Sequence, residues 1–277
     1  MKCSLLVVTT NRLILAERLF RSLADQEYRN FEVIFVHEQS CASAAASLTE
    51  AFQAKLNIQS LSVPPCGISR ARNLGMPLLQ GEIISFPDDD CVYTPHTLSA
   101  AVAFFHSHPR AGALLASKAG LDEAIAEMSQ TTVAGALNRY LLFGCSETFL
   151  QFYRGACVRR LGFFDETLGA GTGLPYGSGE DTDYVLRALE AGFTVLRAPS
   201  VLVRHPVVDF SDPSLAAKVK AYARGRMYLL RKHALPWWFR LANVAYPLAA
   251  LARELPKHGL RTAAYRWRMF SARLMHF

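Results

Sequence analysis

Three consecutive carboxylates, Asp88, Asp89 and Asp90, stand at the C-terminal end of the apolar run Ile83-Ile84-Ser85-Phe86. Like charges this close repel one another unless a cation neutralises them. Carboxylate oxygens are hard ligands suited to Mg²⁺ or Mn²⁺, ions that use one or two protein carboxylates and complete their shell with water and substrate phosphates. An acidic, solvated turn is the plainer account of a short Asp run. A second acidic cluster, Glu180-Asp181-Thr182-Asp183, follows the glycine-rich stretch 169–179 and opens a helical pattern of Val185, Leu186 and Leu189 closed by Gly192. Carboxylates in a first helical turn commonly do no more than favour the helix dipole. Delivered by a long loop, they can also hold a general base near an incoming hydroxyl.

The elements that must carry these groups alternate regularly in the first half. Apolar runs at 4–10, 32–36, 58–63 and 82–86 read as strands, and 12–26, 42–55 and 67–79 read as helices between them. Strand and helix in alternation predict an α/β fold with a mostly parallel sheet covered on both faces. Such sheets bind ligands beyond the carboxyl ends of their strands. Thr9-Thr10-Asn11-Arg12, His37-Glu38 and Asp88 to Asp90 all fall at such ends, so three polar clusters share one rim. This convergence favours a site over a solvated turn. Farther on, a helix is expected at 97–107, a strand at 113–117, a helical stretch at 131–142 and β character over 147–158. The glycines of 169–179 follow neither a Gly-x-Gly-x-x-Gly nor a Walker spacing, which leaves dinucleotide and P-loop readings unsupported.

A chain of 277 residues with 51% hydrophobic content can bury a large core. Its six cysteines form no metal-type pair, and the first apolar run is too short for a secretory leader, so a reducing, cytoplasmic setting is expected. The net charge of +7 is concentrated from Lys218 onward, where Glu254 is the only acid. That distribution suits a surface contact rather than nucleic-acid binding.

The motifs Val7-Val8-Thr9-Thr10-Asn11-Arg12, Ser69-Arg70-Ala71-Arg72-Asn73-Leu74-Gly75, Phe86-Pro87-Asp88-Asp89-Asp90 and Gly179-Glu180-Asp181-Thr182-Asp183 occur in the order and spacing of the family 2 glycosyltransferases. Over residues 4–205 the chain resembles a bacterial member of that family, of the sort that builds exopolysaccharides or other surface glycans. The resemblance implies a GT-A, Rossmann-like fold and inverting transfer from a nucleotide-diphosphate sugar to an acceptor hydroxyl. It implies that Asp88 and Asp90 hold the donor ribose and a divalent metal, Mn²⁺ or Mg²⁺, with Asp89 in the variable middle position of the donor-binding turn. It implies Asp181 as catalytic base and Glu180 as an acceptor or positioning contact. Thr9, Asn11 and Arg12 fall where the nucleotide is gripped, and Arg72 where base or phosphate is contacted. His205, in Val203-Arg204-His205-Pro206, matches a third metal ligand of some GT-A enzymes. The family commonly has an Asp after the second strand for the nucleobase; here either Glu38 substitutes with a one-residue shift or His37 takes the position.

Residues 1–210 are therefore expected to form the catalytic domain, with a nucleotide-sugar half at about 1–95 and an acceptor half at about 96–210. Residues 211–277 are expected to form a basic amphipathic helical appendage. Its helix at 214–233, the aromatic Pro236-Trp237-Trp238-Phe239 and the run 241–252, interrupted at Pro247, are too short and broken to span a bilayer but suit an anionic membrane surface. Such attachment, peripheral on the cytoplasmic face of the inner membrane, would accord with a lipid-linked glycan acceptor. Packing against protein is the alternative for the tail. Two other readings compete for the whole: a sugar nucleotidyltransferase, which would be expected to carry a Gly-rich basic loop after the first strand, and a catalytically silent membrane-associated scaffold.

Overall fold

Every residue of β1 (Cys3–Thr9) is buried, which is what a central strand covered on both faces requires. In the computed structural model, which describes residues 1–123, 135–207 and 213–277 and the side chains of all of these except 213–217 and 256–261, β1 lies inside an eight-stranded sheet. The other strands are β2 (Phe31–Glu38), β3 (Ile58–Val63), β4 (Ile83–Ser85), β5 (Val92–Tyr93), β6 (Ala111–Ala119), β7 (Gln151–Arg154) and β8 (Thr194–Arg204). Their order is β3-β2-β1-β4-β7-β6-β8-β5. The first four are parallel, as expected, and β7 then runs antiparallel to both β4 and β6. β8 is parallel to β6, and β5 closes the order antiparallel to β8.

Alternation along β1 sorts the two faces. Cys3, Leu5 and Val7 join Ala16, Leu19, Phe20 and Leu23 of α1 (Leu13–Ala24), Ala45 of α2 (Ala42–Phe52) and Leu98, Ala101 and Phe105 of α4 (Thr97–Ser107) in one core. The opposite face meets α3 (Ile68–Gly75), where a Cβ on Gly75 would come within 2.8 Å of Val36 and 2.9 Å of Leu6.

The chain divides into two units: Met1–Cys66, Arg70–Phe164 and Tyr184–Val207 form one, and Gly67–Ser69, Asp165–Asp183 and Val208–Phe277 the other. The whole sheet belongs to the first. The second is built on α7 (Pro213–Lys232) and α8 (Trp237–Leu274), which share a small apolar core of Val219, Ala223, Met269 and Ala272. The boundary expected at 210 lies outside the described residues.

Several expectations shift. β character over 147–158 resolves into a 3₁₀ turn, Thr148–Leu150, then β7, then α5 (Gly155–Leu161). Of the helical stretch expected at 131–142, residues 131–134 lie outside the described residues, and the described part contributes only the start of a 3₁₀ turn, Leu141–Gly144. In the tail, Pro247 does not interrupt the helix. α8 instead doubles back later: Arg266 clasps Glu254 at 2.6 and 2.9 Å, and Arg273 donates to the carbonyl of Asn243 at 2.6 Å. In a straight helix those partners would stand roughly 18 and 45 Å apart.

Candidate active site

The sheet explains why the first acidic cluster lies where it does. An isolated parallel bridge between Val8 and Asp88 extends the β1–β4 alignment beyond the end of β4. Below the turn, Phe86 is fully buried, with ring contacts to Tyr153 at 6.2 Å, Phe164 at 5.0 Å and Tyr184 at 5.9 Å. The chain then enters β5, which pairs antiparallel with β8 through Val92 with Arg204 and Tyr93 with Val203. In that register the residue after Arg204 must lie beside those before Val92, and His205 accordingly meets Asp90.

The three aspartates have three fates. Asp89 is fully buried and faces inward, accepting from the Thr9 hydroxyl at 2.6 Å and from Arg12 Nε at 3.1 Å, with Arg12 Nη2 on its other oxygen. Burial pushes its carboxyl up to about 6, against the pull of Thr9 and Arg12. Asp88 and Asp90 turn elsewhere. Asp88 Oδ1 accepts from Arg72 Nη2 at 3.1 Å, and the Arg72 guanidinium is itself buried over the Phe164 ring at 5.4 Å. Desolvation drives Asp88 above its ordinary range, and Asp90 adds to this while Arg72 opposes it. Asp90 Oδ1 lies 3.2 Å from His205 Nε2. Burial works to raise Asp90, but the His205 contact and the charges of His205 and Arg12 outweigh it and hold the carboxyl below its usual value. His205 moves the opposite way: burial favours the neutral ring, and Asp90 overcomes that to raise it.

Asp88, Asp90 and His205 each offer one ligand atom, and these atoms all lie within 4.8 Å of one another. The set is chemically suited to a divalent cation. Apart from its ion pair with His205, Asp90 Oδ1 is buried with no hydrogen bond of its own. His205 Nδ1 bonds the carbonyl of Pro206 at 2.8 Å; in the neutral ring that bond leaves the lone pair on Nε2, which a cation would take in place of the Asp90 contact. The ring stacks on Phe149 at 4.3 Å, which fixes its plane.

The remaining rim residues separate by exposure. Thr9 is buried and engaged twice, accepting from the Arg12 amide at 3.2 Å as well as donating to Asp89, so it braces the rim from within. Asn11 is exposed with φ of 78°, a left-handed geometry that Asn tolerates better than most residues. Half of the Arg12 side chain remains exposed, and its Nη1 lies 3.6 Å from Asp90 Oδ2. His37 is buried with both ring nitrogens occupied, by the Glu38 carbonyl at 3.1 Å and the Ser60 hydroxyl at 3.0 Å. Glu38 is the partly exposed carboxylate at that strand end. Arg18, which the sequence reading passed over, donates to the Asp90 carbonyl at 2.9 Å; its position on α1, one turn inside the rim, was the available signal.

The second acidic cluster belongs to the other unit. It forms the first turn of α6 (Glu180–Glu190), entered through Gly179 with φ of 103°. Gly179 supplies the carbonyl that accepts from the Asp183 amide at 2.8 Å. Asp181 is partly exposed, and its Oδ1 accepts from the Thr182 amide at 2.6 Å and hydroxyl at 3.2 Å. Glu180 passes beside Gly169, where a Cβ would come within 3.1 Å of its carboxyl carbon. Asp183 is fully buried, with Lys232 Nζ at 2.6 Å and His233 Nε2 at 2.9 Å.

The sequence profile described as glycosyl transferase family 2 matches residues 4–158. A curated relative, the poly(ribitol-phosphate) beta-N-acetylglucosaminyltransferase TarS of Staphylococcus aureus, is 31% identical over 112 residues, which cover 39% of this chain and only 19% of that protein. Among solved structures, S. aureus TarS 1–349 superposes with a TM-score of 0.64 at 18% identity, covering 99% of this chain and 92% of that one. The mannosyltransferase PcManGT of Pyrobaculum calidifontis, solved with GDP-Man and Mn²⁺, reaches 0.69 at 20% identity, covering 99% and 85%. At such identities the superpositions establish a shared fold, that of the GT-A glycosyltransferases.

Proposed function

Because the chain belongs to glycosyl transferase family 2, we propose that it moves a sugar from a nucleotide-diphosphate donor to an acceptor hydroxyl with inversion, in the synthesis of a cell-surface glycan. The observation that carries this reading is the convergence of Asp88, Asp90 and His205 beyond the carboxyl ends of β1 and β4. These three residues would hold a divalent cation, Mn²⁺ or Mg²⁺; PcManGT was solved with Mn²⁺ and TarS 1–349 with UDP-GlcNAc. When bound, such an ion acts as a Lewis acid on the leaving diphosphate, whose charge grows as the anomeric bond breaks. Arg72 fixes the Asp88 carboxylate. Asn11 and Arg12 offer exposed donors to the nucleotide, and Glu38 is the acceptor for the nucleobase, since His37 is committed to the interior. Asp89 and Thr9 serve the donor indirectly, by holding the turn that carries Asp88 and Asp90. Asp181 removes the proton of the acceptor hydroxyl, with Glu180 positioning that acceptor.

The sugar nucleotidyltransferase reading is not favoured by the family match. The silent-scaffold reading is separated by experiment. With Mn²⁺ and no acceptor, release of nucleoside diphosphate from a panel including UDP-GlcNAc and GDP-mannose is expected from the wild type and is expected to fall about 100-fold or more in Asp90→Ala. Equal turnover by Asp90→Ala would remove the metal assignment. Failure to bind any nucleoside diphosphate with any metal would favour the scaffold.

The basic second unit is proposed to rest on an anionic membrane surface at the cytoplasmic face of the inner membrane, where a lipid-linked acceptor would be met. No helix among the described residues is long and apolar enough to cross a membrane. The support for a surface contact is the exposed aromatic face of α8 together with the excess of Lys and Arg from Lys218 onward.

A further inference from the structure

Asp183 is a buried carboxylate with no part in the chemistry set out so far. It is fully buried, yet it lies two residues from the proposed base. Residues two apart on a helix point roughly 200° apart, so Asp183 and Asp181 occupy opposite sides of the first turn of α6. On its own side Asp183 meets two consecutive residues at the end of α7, Lys232 at 2.6 Å and His233 at 2.9 Å. Lys232 also binds Asp165 at 2.6 Å, at the other end of the glycine-rich stretch. The same lysine therefore ties both ends of the segment that delivers Asp181.

Along its length that segment is seated on the same helix. Tyr176 stacks on Tyr228 at 4.2 Å. A Cβ on Gly177 would come within 2.8 Å of Ala221, and one on Gly225 would collide with the carbonyl of Ser178. The Ile68 amide bonds the Ala170 carbonyl at 2.9 Å, and the Ser69 hydroxyl bonds the Leu168 carbonyl at 2.7 Å. Few residues of this stretch could hold a fixed path unaided, given its glycines at positive φ. Burial opposes the charge on Lys232, but the Asp165 and Asp183 carboxylates more than restore it, as a permanent tie requires.

We propose that Asp183, with Lys232 at the end of α7 and His233 just beyond it, forms a set of positioning residues that orients Asp181 for proton removal, making α7 part of the transfer machinery. This rests on the assignment of Asp181 as base. Through such a tie the set acts on kcat and not on donor affinity, and it acts only by way of Asp181.

The test uses the full chain and the donor turned over fastest in the panel above. Asp183→Asn is expected to lower kcat about 10- to 100-fold while nucleoside-diphosphate affinity in Mn²⁺ stays unchanged. In an Asp181→Asn background the same change is expected to cost nothing further, because the group being oriented is already gone. Full kcat in Asp183→Asn, or a loss that multiplies with that of Asp181→Asn, would overturn the inference and leave the base assignment standing. Unimpaired transfer by Asp181→Asn would instead remove the base assignment. Should Asp183→Asn fail to fold, His233→Gln, whose amide nitrogen can replace Nε2, is expected to retain kcat where His233→Ala loses it; equal rates in those two would overturn the proposal.

Discussion

Side chains of one type, adjacent in sequence, do different work here because their surroundings differ. Asp89 is enclosed by Thr9 and Arg12, whereas Asp88 and Asp90 face each other and His205. Removing Asp89 strands the buried Thr9 hydroxyl, while the half-exposed Arg12 can return to water, so Asp89→Ala is expected to lose about 1–3 kcal/mol of stability. Asp88→Asn relieves a like-charge contact and is expected to melt, without metal, at or above the wild-type temperature, while the proposed donor binding is expected to fall. Thermal melts of the two variants check the contrast; equal destabilisation would show that the run acts as one unit. The sequence made the Asp run conspicuous as a candidate cation site. Outside the family resemblance, residue spacing could not say which of the three turned inward, because that follows from the bridge between Val8 and Asp88, a contact between residues far apart in the chain. The choice between His37 and Glu38 was open for the same reason; the proposal of Glu38 rests on the contact of the His37 ring with Ser60 on the neighbouring strand.

Among the elements, those with clean periodicity were legible and those set by partners were not. The first three strands and α1, α2 and α4 follow the apolar spacing closely. β7 and α5 abut without a break in apolar character, so one long β segment was the natural reading of 147–158. β5 has only two residues and no pattern of its own, yet its pairing with β8 is what brings His205 to Asp90. α7 shows how packing can reverse a propensity argument. Gly225 lies inside that helix, where Gly→Ala ordinarily stabilises by about 1 kcal/mol. Here the added carbon would meet the backbone of Ser178, which cannot rotate away as a side chain could. Gly225→Ala is therefore expected to lower the melting temperature; a rise would mean that the segment does not rest on α7.

For the molecule as a whole, the tail poses the main question of surroundings. The first arm of α8 buries Asn243, Val244, Pro247 and Ala250 and exposes Trp237, Trp238, Leu241, Ala245 and Tyr246 on another face. Trp237 is 65% exposed and Tyr246 50%. Aromatic residues with an apolar body and a polar edge favour the boundary between headgroups and acyl chains, and the nearby cations favour anionic lipid. Vesicles rich in phosphatidylglycerol are expected to sediment with the protein at low salt, less so at high salt, and much less with Trp237→Ala/Trp238→Ala. No sedimentation at low salt would exclude the lipid contact. The amphipathic character of the tail was legible from its composition, but its doubling back was not. That fold depends on pairings such as Arg266 with Glu254 and Arg273 with Asn243, which local spacing does not encode.

The position of β5 has a thermodynamic corollary. This two-residue strand is one of the two edges of the sheet order, and the aspartates just before it approach both the middle of the sheet, through Val8, and its margin, through His205. An ion gripped by Asp88, Asp90 and His205 would act as a clasp across that span, fastening the margin whenever cargo arrives. By mass action, loading and tightening would become a single equilibrium, so that a divalent cation would raise the stability of that margin in proportion to its occupancy.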